Sequence, residues 1–265
     1  MSVYADLVRY RELFFNLFRR DLHARYRGSV LGVLWSLAYP LVLMGVYVLV
    51  FSKIFPVVNI PHYPLYLLSG LTVWIFFSAS LQLASRSLVD NANLIKKVRF
   101  PRQLVPLSVV GTQLVTYAVM LAVVLAVDAI VIPDTRDTVW LAVPLGALLV
   151  PLVAGLALAI AALDVLFRDV EHLLANLLLP WFFLTPILYS PDFLPAGLAR
   201  HEHAVKIVGY VNFVTPPLQA LRDPLFFGRL PDVVDVVYLA VAAAVALGLG
   251  ALVFSRVDDE IAVSL

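Results

Sequence analysis

Six stretches without a single Asp, Glu, Lys or Arg, each long enough to cross a bilayer, dominate this chain. They lie between Arg27 and Lys53 (25 residues), Lys53 and Arg86 (32), Arg102 and Asp128 (25), Asp137 and Asp164 (26), Glu171 and Asp192 (20), and Asp235 and Arg256 (20). A helix of about 20 predominantly apolar residues crosses the ~30 Å of hydrocarbon in a membrane. Each stretch therefore provides for one crossing. The runs do not alternate apolar and polar residues, which excludes a transmembrane barrel. The expected fold is an all-α membrane protein with six transmembrane helices, near residues 30–53, 65–86, 104–128, 140–163, 172–190 and 235–255. Composition agrees, with 62% of residues hydrophobic and 14% charged, against about 45–50% and 25% in ordinary soluble domains. A seventh window, between Lys206 and Arg222, holds 15 residues interrupted by Pro216 and Pro217. It is too short to span and reads as an outer re-entrant helical hairpin between spans five and six.

The Lys and Arg residues set the expected orientation, because positive charge is retained in cytoplasmic loops. With the amino terminus inside, 13 of the 19 basic residues fall on the cytoplasmic side and 6 on the outer side. Both termini are then cytoplasmic. Residues 1–28 have helical period, with Leu7, Tyr10, Phe14, Leu17, Phe18 and Leu22 on one stripe. Arg9, Glu12, Asn16, Arg19, Arg20, His23 and Arg27 fall on the other. A basic face opposite an aromatic and aliphatic face describes an amphipathic helix in the headgroup plane. The domain division is thus an interfacial helix at 1–28 and a six-span membrane domain at 29–265, with a cytoplasmic loop at about 86–103 and an outer region at about 191–233.

That cytoplasmic loop carries Arg86, Lys96, Lys97, Arg99 and Arg102. Leu88, Asn91, Leu94, Ile95 and Val98 can share a short helical face, stopped where Pro101 biases Phe100 out of helix. Its charges satisfy the positive-inside rule, and its length exceeds that of most connections, which suggests a docking element for a partner.

Several chemistries fail on the residues present. His201-Glu202-His203 has no third ligand at a supporting spacing, so no metal site is expected. Asp128, Asp134 and Asp137 flank an outer turn and read as solvated loop charges. No ionisable residue lies at the middle of a span, which weighs against an ion-coupled transporter. No Gly-rich filter run supports a channel. None of the 12 glycines precedes a lysine, so no phosphate-cradling G-x-x-x-x-G-K-[ST] loop exists. If ATP drives this protein, another polypeptide binds it. The chain has no cysteine, hence no thiolate chemistry, and its net charge of +1 argues against nucleic acid.

What stands out in this charge-free interior is its aromatic residues. Trp35, Tyr39, Tyr47 and Phe51 lie along the first span, and Trp181, Phe182, Phe183 and Tyr189 along the fifth. Trp35 and Tyr189 suit an interfacial belt. Tyr39 and Tyr47 lie deeper, where a hydroxyl needs a partner or a hydrated cavity. Such rings either pack helix on helix or line a path along which sugar faces slide. Both readings stay open at this point.

Four segments carry a resemblance. The first runs from Arg19-Arg20-Asp21-Leu22 through Arg25-Tyr26-Arg27-Gly28-Ser29-Val30-Leu31-Gly32-Val33-Leu34-Trp35 to Pro40-Leu41. The second is Asn93-Leu94-Ile95-Lys96-Lys97-Val98-Arg99-Phe100-Pro101, and the third is Phe167-Arg168-Asp169-Val170 followed by Leu184-Thr185-Pro186-Ile187-Leu188-Tyr189-Ser190. The fourth is Asn212-Phe213-Val214-Thr215-Pro216-Pro217 through Leu221-Arg222, with Asn212-Phe213 where the usual pattern is Asn-Pro. In this order and spacing the chain resembles the permease subunits of type-2 ABC exporters that move lipid-linked O-antigen, capsule, teichoic acid or galactan chains. The resemblance implies a homodimer around a channel, docked to two copies of an ABC ATPase subunit in the bacterial inner membrane. It implies a polyprenyl-diphosphate-linked glycan as cargo and no enzymatic activity or cofactor on this chain, with ATP and Mg bound by the partner subunit. On that reading Tyr39, Tyr47, Phe183 and Tyr189 are candidates for the channel lining. Arg25 and Arg27 are candidates for the lipid-diphosphate entrance, and Lys96, Lys97, Arg99 and Arg102 for coupling to the ATPase. The nearest rival is a permease of the same type for drugs or other small cargo. An ion-coupled secondary transporter or channel is the rival of a different class.

Overall fold

The computed structural model describes residues 9–29, 32–54, 60–190 and 209–264, and no strand occurs among them. The chain runs through α1 (Arg11–Tyr26), α2 (Trp35–Val48, extended by a wide turn Leu49–Ile54), α3 (Tyr63–Asp90), α4 (Ala92–Lys97) and α5 (Leu104–Val131). It continues through α6 (Ala142–Leu166), α7 (Val170–Leu184), α8 (Thr215–Arg222, followed by a wide turn Asp223–Phe227) and α9 (Val233–Ser264).

Five segments among the described residues are long and apolar enough to cross a membrane: Leu37–Ile54, Tyr63–Asp90, Leu104–Val131, Val139–Leu166 and Val233–Asp258. Each overlaps one of the charge-free runs. Helix α3 is the hub, with 78% of its most apolar window buried, and it packs against α2, α5, α6 and α7. Helices α6 and α9 make the most extensive contact. Their backbones touch because a methyl at Gly155 would overlap the backbone of Ala246, and one at Gly250 would overlap Gly155. Between lipid-soluble helices, such close van der Waals packing replaces the hydrophobic driving force.

The expected crossing at 172–190 is helical for less of its length. Helix α7 has 15 residues, about 22 Å at 1.5 Å per residue. It stops at Leu184 because Thr185, the residue before Pro186, is extended at φ −85° and ψ 134°. Conversely, α3 overruns the expected end at residue 86 and continues to Asp90. The chain breaks at Asn91 before the single turn and a half of α4, and Val98 then turns extended.

The apolar stripe of α1 is used. Leu17 is buried, and Phe14 and Phe18 lie against Gly111 of α5. Glu12, Asn16, Arg19, His23 and Arg27 are exposed on the other side. Leu7 and the other residues of 1–8 lie outside the described residues, as do Arg200, His201-Glu202-His203 and Lys206. Of the expected hairpin, α8 is described, and it is buried against α9, α6 and α3.

Asp128 corrects the sequence reading. Helix α5 continues to Val131, which carries Asp128 into its last turns, where the side chain is fully buried rather than solvated. Neither carboxylate oxygen has a hydrogen-bond partner among the described residues. Asp134 and Asp137 are exposed, as a solvated turn requires.

Candidate functional site

The basic candidates lie on α1 and where α3 leads into α4 and α5, whereas Arg136, Arg222 and Arg229 lie at the other end of the bundle. Arg25 and Arg27 end α1 and are exposed. Lys96 and Lys97, in the last turn of α4, and Arg99 beyond it are exposed as well. Cations at a helix C-terminus complement the partial negative charge there, so α4 holds its lysines out at little cost. Arg102 differs. Its guanidinium pairs with the Asp258 carboxylate at 2.8 Å and also donates to the Asp258 carbonyl, tying the start of α5 to α9. Helix α1 joins the same end through a chain of polar contacts. Arg20 Nη2 donates to Asn91 Oδ1 at 2.8 Å, and the Ser108 hydroxyl donates to Asp21 at 3.1 Å.

Two of the four aromatic candidates, Tyr47 and Phe183, each meet Phe182 of α7. The Tyr47 ring of α2 stacks on Phe182 of α7 at 5.7 Å, and Phe182 meets Phe183 edge-on at 5.3 Å. Tyr47 is half-buried by this contact, whereas Phe183 is 52% exposed. Tyr39 lies two turns along α2 and is 62% exposed, beside the exposed Trp35 and Val42. Tyr189 sits in the turn after α7, and its hydroxyl donates to Leu184 O at 3.1 Å. The structure thus joins Tyr47 to the α7 aromatics through Phe182, and leaves Tyr189 apart from that stack.

Sequence reasoning missed two polar knots at the far end. Asn212 Oδ1 accepts from Trp181 Nε1 at 2.7 Å and from the Val214 N–H at 3.2 Å, while its Nδ2 donates to Thr185 Oγ1 at 2.9 Å. The side chain makes the turn itself, so no proline is needed after it. Phe213 occupies that place and packs edge-on against Trp181 at 4.9 Å. The second knot is Arg222, read from the sequence as an outer loop charge and in fact only 3% exposed. Its Nη1 donates to Tyr66 Oη at 2.7 Å and to Pro186 O at 2.6 Å, and its guanidinium lies 3.8 Å from the Tyr66 ring centroid. The Tyr66 hydroxyl in turn donates to Tyr189 O at 2.6 Å, and Tyr63 donates to Leu188 O at 2.9 Å. Burial pulls the Arg222 guanidinium below its usual value, opposed by the Tyr66 hydroxyl and Asp223. Asp223 pairs with Arg229 at 2.8 Å. The knot binds α3, α8 and the turn after α7 into one far-end assembly. A motif ending in Leu221-Arg222 was the one signal for it.

The profile of ABC-2 type transporters matches residues 12–226, from α1 through the turn after α8. The chain belongs to the ABC-2 type transporter family. It is accordingly a multi-pass membrane protein. The O-antigen export system permease protein RfbA of Myxococcus xanthus is 35% identical to it over 263 residues, 98% of either chain. An O-antigen export system permease protein RfbA of Klebsiella pneumoniae is 34% identical over 179 residues, 66% of this chain and 68% of its own. The region matched to ABC-2 transporters contains every candidate residue above: the basic end, the Tyr47–Phe182 stack and the far-end knots.

Proposed function

We propose that this chain is the transmembrane permease of an exporter that moves lipid-linked polysaccharide across the bacterial inner membrane. ATP and Mg are bound and ATP hydrolysed on a separate subunit. The observation that supports this most is the end-to-end similarity to a protein named as an O-antigen export permease. The sequence itself lacks any phosphate-cradling loop, in keeping with an ATPase on another chain. Two copies of the chain pair around the path, and two ATPase copies dock on the basic end. That end faces the cytoplasm with both termini, and α7 with its following turn completes a sixth span. Helix α1 lies at the headgroup level, and α8 belongs to a re-entrant hairpin on the outer side.

In this reading the residues divide by chemistry. Arg25 and Arg27 meet the diphosphate of the carrier lipid, for which a guanidinium fork is suited. Lys96, Lys97 and Arg99 face the ATPase, and Arg102 acts from behind them through Asp258. Tyr39, Tyr47, Phe183 and Tyr189 offer rings and hydroxyls to a glycan that crosses a charge-free interior. The chain reconstituted with its ATPase subunit should translocate a polyprenyl-diphosphate-linked glycan only when ATP is supplied. Transport that follows an ion gradient without the ATPase would refute the reading.

A further inference from the structure

Helix α7 packs on α3 along one face and leaves the other open. Leu173, Leu177 and Leu179 are each more than half exposed along it. Its far end is held by aromatic packing and by the Trp181–Asn212 bond. Its other end is held by two polar contacts. Asp164 Oδ1, at the end of α6, accepts from the Glu171 N–H at 2.9 Å. The Glu171 carboxylate pairs with Arg86 Nη1 at 3.2 Å. Arg86 lies just before the last turn of α3, which leads into α4, and its second neighbour is Asp90 at 4.0 Å. In that same turn Asn91 Nδ2 donates to Ser87 O at 2.8 Å, and Asn91 Oδ1 takes the bond from Arg20 of α1. The stretch 86–91 is therefore where α1, α4 and α7 are all attached.

We propose that Arg86 is a positioning residue for transport, carrying displacement of α4 to α7 through its ion pair with Glu171. The proposal rests on the reading of α4 as the docking element of an ATP-driven permease. Both side chains are partly exposed, Arg86 at 57% and Glu171 at 33%, and exposed pairs add little to folding stability. The pair is thus dispensable for the fold while being the side-chain link on this rim between the α4 segment and the start of α7. An acidic residue in the first turn of α7 also complements the helix dipole, which keeps Glu171 at that end. When α4 is pushed, α7 follows at its near end and pivots on its packed far end, displacing the Phe182–Phe183 rings relative to Tyr47.

The test uses the full complex with its ATPase subunit in proteoliposomes, reading ATP hydrolysis and export of a polyprenyl-diphosphate-linked glycan side by side. Arg86→Glu and Glu171→Arg should each leave assembly, melting temperature and hydrolysis near wild type. Export should fall on the order of two- to fivefold, the size an exposed pair can carry. The double exchange, Arg86→Glu with Glu171→Arg, should restore export. Single variants that export at the wild-type rate would overturn the proposal, and so would a double exchange that stays impaired. Hydrolysis and export falling in equal proportion would overturn it too, since that pattern marks lost docking. The wild-type complex decides separately on the ATP-driven reading: if it exports nothing on ATP, that reading fails whatever the variants do.

Discussion

At the residue scale, the most constrained side chain is one that the sequence only placed among the outer charges. Arg222 lies 156 positions from Tyr66, whose ring and hydroxyl receive it. Nothing local to α8 announces its burial, because the acceptors come from α3 and from the turn after α7. A buried cation is tolerated only when its donors are satisfied, and the price here includes a glycine. A methyl at Gly70 would overlap the Arg222 guanidinium, with Ile187 also close. Gly70→Ala should therefore destabilise the purified protein by about 1–3 kcal/mol, the usual range for overpacking. In an Arg222→Met background the same change should cost markedly less, because the groups are in contact and their effects couple. Thermal unfolding of the four proteins in one detergent checks this; equal costs in both backgrounds would show that Gly70 answers to something else. Tyr66→Phe keeps the ring and removes the hydroxyl that serves Arg222 and Tyr189, and should cost about 1–3 kcal/mol in the same measurement.

Among the elements, charge-free windows located the five described helices long and apolar enough to cross a membrane, because that property is decided by the side chains of one segment. The ends were less legible, since they depend on backbone detail. Helix α7 ends at Thr185 because Pro186 follows, whereas α3 runs on past Arg86 to Asp90. Asp128 escaped for a similar reason, as its burial depends on how far α5 runs. The basic loop was legible as a group, but the structure separates its members: Lys96, Lys97 and Arg99 are free-standing, and Arg102 is engaged with Asp258. Two different outcomes follow. Reversing all three of Lys96, Lys97 and Arg99 to Glu should abolish copurification of the ATPase subunit while leaving the melting temperature of the permease alone unchanged. Arg102→Ala should retain the ATPase, at a stability cost of up to about 1 kcal/mol for a partly exposed pair. A triple variant that still binds the ATPase and exports would remove the docking role from α4.

For the whole molecule, the question is which exposed apolar surface faces sugar and which faces lipid. Among the described residues two such surfaces can be compared. Along α9 the exposed residues include Val237, Val241, Val245, Leu249 and Leu252, an aliphatic stretch flanked by Tyr238, whose hydroxyl donates to Tyr210 O, and by Ser255, whose hydroxyl donates to Leu252 O. Along α2 and α7 the exposed set includes Trp35, Tyr39 and Phe183 among aliphatic neighbours. Hydrocarbon is matched by the first surface, whereas a tyrosine hydroxyl at depth needs water, cargo or protein. Tyr39 is thus the sharpest reporter of the path, and Tyr47 a poorer one, because its ring is stacked on Phe182 and its removal opens a cavity worth roughly 3–5 kcal/mol. The chain contains no cysteine, so single cysteines can be introduced without preparation. In the assembled transporter, Tyr39→Cys should react with a small membrane-impermeant thiol reagent, and its rate should change when ATP is hydrolysed. Val245→Cys on α9 should remain unlabelled throughout, and Tyr47→Cys should label slowly. If Tyr39→Cys is as inert as Val245→Cys during turnover, the α2 face meets lipid or protein, and the aromatic path along α2 and α7 is wrong.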